Sequence, residues 1–354
     1  METPFVLLFI CCLSIYINNC WSSLQCVGEN GKAVDWFIAY KIPKIAESSN
    51  PFVKEGLAYF YMDNNTVSGA WALSNNSLNS TGGAIYKTLE PLYKAENTTE
   101  EVAFGMYNDE TPSGEKTEEY GHTKGVLAMD VYTGFWMVHS VPRFPEFKKY
   151  SWPDSARENG QSFLCISITH PEADTIAQQM TYNRPWIYGK NFPAKFEHTD
   201  RAFLGMLHGK FRNGNRTKMI NSAGGEKFLV FAKDADFGAD LYDAYVGPYL
   251  ASSLYTETWQ NGPGKTPSYC KGPFHVENIQ SISFPKTEIA FKETKDHSKW
   301  AVTVKSTQGD WTCIGDINRQ EGQLHRGGGT VCMNNRQVWK SFSGLVGAVE
   351  HCKV

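Results

Sequence analysis

The chain has 354 residues, 41% hydrophobic and 20% charged, with a formal charge of −3. This composition is that of an ordinary globular protein long enough for a large core, and it excludes a disordered or collagen-like chain. A pI near 6.3 leaves no footprint for nucleic acid at neutral pH, but the nine histidines reverse the sign near pH 5 (reference pKa ~6.5), which favours a polyanionic ligand in an acidic compartment.

In chain order, Phe5 to Leu13 is a short apolar run, and Cys20-Trp21-Ser22 offers a cleavage site. Residues 1–22 are therefore expected to be a signal peptide. No later run approaches the ~18 apolar residues of a spanning helix, so no membrane insertion is expected. The first mature strand is predicted at Asp35–Lys41 and the second at Leu57–Asp63. A loop rich in sequons follows. Asn64, Asn75, Asn79, Asn97 and Asn215 all stand in Asn-x-Ser/Thr and are candidate glycosylation sites. Ala84–Leu89 reads as strand or short helix, Val102–Asn108 as strand, and the polar stretch Asp109–Tyr120 as loop.

The tetrapeptide His122-Thr123-Lys124-Gly125 comes next, running into Val126-Leu127-Ala128-Met129. Phe163–Ile168 reads as strand and Glu172–Met180 as helix; the polar, Pro-bearing stretch beyond marks a boundary between halves 23–185 and 186–354. Phe228–Lys233 is a predicted strand, and Asp240–Leu250 looks helical despite Pro248. Asp234, Asp236, Asp240 and Asp243 lack the order of an EF-hand and read as a solvated loop and helix start. Ile279–Phe284 and Thr287–Lys292 form a predicted hairpin leading to a second tetrapeptide, His297-Ser298-Lys299-Trp300, before Ala301-Val302-Thr303-Val304. Gly327-Gly328-Gly329 reads as a plain turn. Strands interspersed with helices indicate an α/β or α+β protein.

The two His-x-Lys tetrapeptides form a faint internal repeat. Trp136 and Trp311 each stand fourteen residues after their histidine. On a strand, residues i and i+2 share a face, so each imidazole is expected beside its lysine. Two His and two Lys supply what phosphodiester cleavage needs without a metal: a nucleophile, a general acid, and positive charge at the phosphoryl oxygens. His122, Lys124, His297 and Lys299 are the candidate catalytic residues, with one imidazole attacking phosphorus to give a phosphohistidine and the other protonating the leaving oxygen. Six cysteines remain beyond the signal. Cys313 and Cys332, nearest in sequence, are expected to pair; Cys26–Cys165 and Cys270–Cys352 would then close each half. No Cys-x-x-Cys occurs, and no metal or other cofactor is expected.

From Leu24 to Cys352 the chain resembles deoxyribonuclease II, the lysosomal acid endonuclease family. The matching blocks are Asp35-Trp36-Phe37, Tyr120 to Val126, Phe135 to Pro142, Asp296 to Trp300, Asp310 to Asp316, and Arg326 to Thr330. The resemblance implies an α/β fold of the phospholipase D-like kind: mixed α+β sheets flanked by helices, in a pseudo-dimer of two similar halves with the site between them. It also implies metal-independent cleavage of double-stranded DNA in acid, leaving 3′-phosphate and 5′-hydroxyl ends, in the lysosome or outside the cell. The wider superfamily carries an acid five residues after the lysine; here Met129 and Val304 stand there, with Asp130 one further than Met129. Gly315-Asp316-Ile317-Asn318 resembles the family's Gly-x-x-Asn element, so Asp316 and Asn318 are supporting candidates, and Ser140 is their counterpart in the first half. His139 beside it is equally well a core residue. The rival readings are a catalytically silent secreted DNA-binding glycoprotein and a phospholipase D-type lipid phosphodiesterase. The oligomeric state is not legible.

Overall fold

Strict alternation along the strands sets the layering. In β1 (Trp36–Lys41), Trp36, Ile38 and Tyr40 enter one core, while Phe37 and Ala39 enter another on the opposite face. In this computed structural model, which describes residues 24–69, 71–94, 101–305 and 309–353, the chain forms two eight-stranded sheets. The expected signal segment 1–22 and the sequon at Asn97 lie outside the described residues.

The first sheet continues with β2 (Tyr59–Asp63), β3 (Ala72–Leu73), β4 (Ala103–Tyr107), β5 (Gly125–Met129), β6 (Thr133–His139), β7 (Gln161–Thr169) and β8 (Ile187–Asn191). Its spatial order is β3-β2-β1-β7-β6-β5-β4-β8, so it takes one strand from beyond residue 185. The second comprises β9 (Asn215–Asn221), β10 (Lys227–Lys233), β11 (Leu254–Glu257) and β12 (Val276–Ile279). After a separate hairpin, β13 (Ser281–Ser283) and β14 (Ala290–Lys292), it adds β15 (Trp300–Thr303), β16 (Trp311–Gly315), β17 (Gly328–Asn334) and β18 (Val349–Glu350). Its order is β18-β12-β11-β15-β16-β17-β10-β9.

The two sheets share a five-strand core. β1-β7-β6-β5-β4 and β10-β17-β16-β15-β11 follow the same spatial and sequence order, all neighbours antiparallel. Between the sheets lies a common core containing Ile38, Leu127, Trp136 and Ile166 from the first, with Phe228, Val230, Trp300 and Ile314 from the second. The helix His170–Asn183 packs Ile176, Ala177 and Met180 into it. Full burial of each aliphatic side chain there stabilises by roughly 1.5–3 kcal/mol. The outer faces have their own cores, Phe37, Val126 and Phe163 on one side, Leu229, Phe231 and Leu254 on the other.

One sequence expectation changes and two become more definite. Ala84–Lys94 is a helix burying Ile85, Leu89 and Leu92 on one stripe. The stretch Asp240–Leu250 is helical as expected, with a widened turn at Tyr242–Val246 running into Gly247–Leu250; the Gly247 N–H bonds back five residues to the Tyr242 carbonyl. The two tryptophans of the repeat are not equivalent: Gly125 pairs with Val138 and Trp300 with Ile314, so Trp136 corresponds to Thr312. Trp136 faces the common core and Trp311 the outer one.

Disulfides join Cys26 to Cys165, Cys270 to Cys352, and Cys313 to Cys332. Cys313 and Cys332 face each other across β16 and β17, closing the segment that carries Asp316 and Asn318. Replacing both by Ser should cost about 3 kcal/mol in the chain-entropy view of such a loop. Urea unfolding reads this as a lower midpoint; an unchanged midpoint would mean that strand pairing alone holds the segment.

Candidate active site

Both His-x-Lys motifs sit at the leading ends of equivalent strands, just before β5 and β15, rather than within them. Each is anchored by the other half. The His122 N–H donates to the Gly327 carbonyl at 2.8 Å, and the His297 N–H to the Gly160 carbonyl at 2.9 Å. Gly160 and Gly327 are themselves equivalent, immediately preceding β7 and β17. Gly327 leads into β17, which Gly328 begins, so the glycine run does not make the plain turn expected of it. A Cβ at Gly327 would lie 2.4 Å from the Asn183 carbonyl oxygen, and one at Gly160 would lie 2.2 Å from Asp296 Oδ1, so these approaches require glycine. The anchoring brings His122, Lys124, His297 and Lys299 to one cleft of about 390 Å³.

In the first half-site, His122 Nδ1 meets the backbone carbonyl of Asp316. A carbonyl only accepts, so Nδ1 carries the proton and Nε2 presents its lone pair. Nε2 stands 3.8 Å from Asp109 Oδ2. The same carboxylate pairs with Lys124 Nζ and with Arg326 at 3.3 Å. Burial opposes ionisation of Asp109, but Lys124, His122 and Arg326 outweigh it and hold the carboxyl well below the usual range. The Asp316 carboxylate accepts the Gly329 N–H at 2.8 Å and the Thr123 side chain; burial nevertheless pushes it up to about 6. Burial, with Lys124, keeps His122 well below the ordinary imidazole value.

In the second half-site, the His297 ring packs on Trp259, with centroids 4.6 Å apart. Lys299 Nζ donates to the His297 carbonyl at 2.7 Å. Behind the motif, the buried Asp296 accepts from the Tyr40 hydroxyl, from the Ser298 N–H at 3.0 Å and from Ser298 Oγ at 2.7 Å. Glu257 is fully buried with no hydrogen-bond partner among the described residues, and burial raises its pKa well above the usual value. Burial, then Lys299, Lys124 and Lys41, push His297 down to about 3; burial and Lys124 push Lys299 down to about 7.

The half-sites differ at one equivalent position. Tyr107 pairs with Gly125 and Glu257 with Trp300, so Asp109 and Trp259, two residues further on, correspond. His122 thus faces a carboxylate and His297 an indole. Sequence reading passed over Asp109 and Trp259, because each lies beyond the end of a strand far from the motif it meets. Arg326 stood in a family block without a role.

Of the supporting candidates, Ser140 and Asn318 line the cleft, and Asp316 meets His122 through its main chain rather than its carboxylate. Ser140 Oγ donates to Gln161 Oε1 at 2.5 Å, and the Asn318 side-chain oxygen is buried without a partner. His139 is fully buried; its Nδ1 accepts the Val141 N–H at 3.2 Å, and burial pushes it down to about 3. Asp130 binds the N–H groups of Leu24, Tyr132 and Thr133. Asp240 and Asp243 pair with Arg319, and Asp234 caps the turn after β10. Asn64, Asn75, Asn79 and Asn215 are exposed. Among the described residues, the one group with metal-ligand spacing is His275, Glu277 and Cys352, and Cys352 is already bonded to Cys270.

Fold and site together define a protein built from two sheets of like strand order, with a His-x-Lys motif from each at a shared cleft. The family profile for deoxyribonuclease II matches residues 25–352. The chain is 40% identical to plancitoxin-1 of Acanthaster planci across 98% of both chains. It is 38% identical to deoxyribonuclease-2-alpha of Mus musculus across 92% of both, and 36% identical to deoxyribonuclease-2-beta of Homo sapiens across 100% of this chain and 98% of that one. The chain belongs to the deoxyribonuclease II family.

Proposed function

We propose that the protein is an acid endodeoxyribonuclease that hydrolyses phosphodiesters of double-stranded DNA without a metal, through a phosphohistidine. The observation that carries this reading is the convergence of His122, Lys124, His297 and Lys299 on one cleft. The reciprocal bonds from His122 to Gly327 and from His297 to Gly160 support two half-sites related by a pseudo-twofold, one from 23–185 and one from 186–354.

The geometry favours His122 as nucleophile. Its Nδ1–H is held by the Asp316 carbonyl, which leaves Nε2 free to form the bond to phosphorus. As that bond forms, the 5′-oxygen bond breaks, and the leaving oxygen takes a proton from His297. Neutral His297 then removes a proton from water, whose oxygen attacks phosphorus and releases His122, leaving a 3′-phosphate and a 5′-hydroxyl. Trp259, tilted against the His297 ring at 4.6 Å, favours the cationic form of that imidazole. Lys124, Lys299 and Arg326 supply positive charge for the phosphoryl oxygens, the task a metal performs elsewhere. Three disulfides and exposed sequons support residence in the lysosome or outside the cell. Among the described residues no helix is long and apolar enough to cross a membrane.

Plasmid nicking at pH 5 in EDTA should proceed at the full rate, while phosphatidylcholine stays intact in the same buffer. Loss of nicking in EDTA with recovery in Mg²⁺ would refute the metal-free site, and lipid hydrolysis without nicking would refute DNA as substrate.

A further inference from the structure

We infer that Lys41 and Lys233 are a duplicated pair of positioning residues: each gathers the turn of its own half that holds the catalytic histidine of the other half. This rests on the reading of His122 and His297 given above. Lys41 ends β1 and Lys233 ends β10, the equivalent strand. The register makes the match residue by residue: Lys41 pairs with Gln161, directly after Gly160, and Lys233 with Gly328, directly after Gly327. Both lysines are fully buried. Lys41 Nζ donates to the carbonyls of Arg157 and Asn159, the latter at 2.6 Å. Lys233 Nζ donates to the carbonyls of Gln323, Leu324 and Arg326 at 3.1, 3.0 and 2.6 Å.

Among the described residues neither ammonium touches a carboxylate within salt-bridge range, which is an unusual state for a buried charge. What each has instead is a set of converging main-chain carbonyls. Those carbonyls belong to segments 157–159 and 323–326, which run straight into Gly160 and Gly327. Gly160 accepts from His297 and donates to the Lys295 carbonyl at 2.8 Å; Gly327 accepts from His122. The chain of contact therefore crosses the interface twice: Lys41 through Gly160 to His297, and Lys233 through Gly327 to His122. A structural lysine alone would need only one copy. The repetition of the same residue at the same place in both halves, with Arg157 and Asn159 matched by Leu324 and Arg326, ties it to what the halves have in common, which is the crossed anchoring of the histidines.

The charge also has electrostatic reach. Lys41 is among the groups that lower His297, after burial, Lys299 and Lys124. Burial pushes Lys41 down to about 7 and Lys233 to about 8. Asp296 and Glu158 act upward and Arg157 downward on Lys41; Asp240, Asp234 and Asp316 act upward on Lys233. Both ammonium groups are thus charged in acid and lose their protons near and above neutrality.

Lys41→Met and Lys233→Met keep the length of the side chain and remove the charge and its donors. Each should lower kcat at pH 5 by roughly 10²-fold with KM little changed, the scale of a misplaced reacting group. The decisive readout is crossed amide exchange. Lys41→Met should speed exchange of the His297 amide and spare that of His122, and Lys233→Met should do the reverse. Where a Met variant fails to fold, Lys→Gln retains an uncharged donor and should show the same crossed pattern more weakly. Equal loosening of both amides by either variant would overturn the proposal. Crossed loosening with an unchanged cleavage rate would uphold the positioning and refute the catalytic reading of the histidines instead.

Discussion

His122→Ala and His297→Ala should each reduce turnover of duplex DNA at pH 5 by at least ~10³-fold while leaving circular dichroism and the melting temperature near those of the parent. A general acid–base contributes ~10²–10⁴-fold, and loss of a nucleophile costs at least as much. Neither half holds both functions, because each contributes one imidazole to the common cleft. Groups that act as a unit are not additive, so the double variant should be little worse than the poorer single one. His297→Ala should also let phosphate accumulate on His122 when an activated phosphodiester with a good leaving group is supplied, since no residue then activates water. Acid-quenched peptide mapping would find it. Near-normal cleavage by His122→Ala with His297→Ala inactive would reduce the first motif to a structural echo and end the two-half-site mechanism.

How much of this was legible in the chain depends on the range of the interaction. Strands such as Phe228–Lys233 and the hairpin beside Pro285 announce themselves through short-range alternation and turn residues. The paired motifs were legible because each is a local word followed by a strand. The disulfide Cys313–Cys332 followed from closeness in sequence. Asp109 was not legible: it sits in a polar loop, thirteen residues before His122, and owes its role to Lys124 and Arg326 folding against it. The same holds for Gly160 and Lys41. Gly160 takes its meaning from a bond to the other half, and Lys41 from carbonyls more than a hundred residues away, neither of which local periodicity records. The matched tryptophans show the opposite error, an equal spacing in sequence that the register of β5–β6 and β15–β16 places on opposite faces.

Burial of acids beneath the motifs bears on where the fold is stable. Asp316, Asp296 and Glu257 all have folded pKa values raised above their unfolded ones by burial. Such groups contribute stability that is fully present below the unfolded pKa and is lost as pH rises through the folded one. His122, His139 and His297 are depressed, so their contribution is present above ~6.5 and is lost as pH falls towards the folded values. The acids thus offset, in an acidic compartment, what the buried imidazoles cost there.

Cleavage should be confined to acid, and the sign follows from the same neighbours. His297 must be protonated to serve the leaving oxygen. Burial and the ammonium groups of Lys299, Lys124 and Lys41 lower its pKa to about 3 in the free protein. Above that value the charged fraction falls roughly tenfold per pH unit, so kcat/KM, which reports the free enzyme, should drop by about 10³ from pH 4 to pH 7. A bound phosphodiester brings negative charge beside His297 and raises its pKa, so kcat should hold to a higher pH than kcat/KM. Lys299, pushed down to about 7, removes further positive charge above neutrality and steepens the loss. His122 does not limit the acid side until well below the ordinary imidazole value, because burial and Lys124 keep it neutral and nucleophilic. Lys299→Met separates the two roles of that lysine. It should lower the maximal rate, since a cation at the phosphoryl oxygens is gone, and move the alkaline limb of kcat/KM to higher pH, since His297 loses its nearest repelling charge. A profile that is flat from pH 5 to pH 8, or one that keeps its alkaline limb in place after Lys299→Met, would show that no imidazolium at His297 takes part in the rate-limiting step.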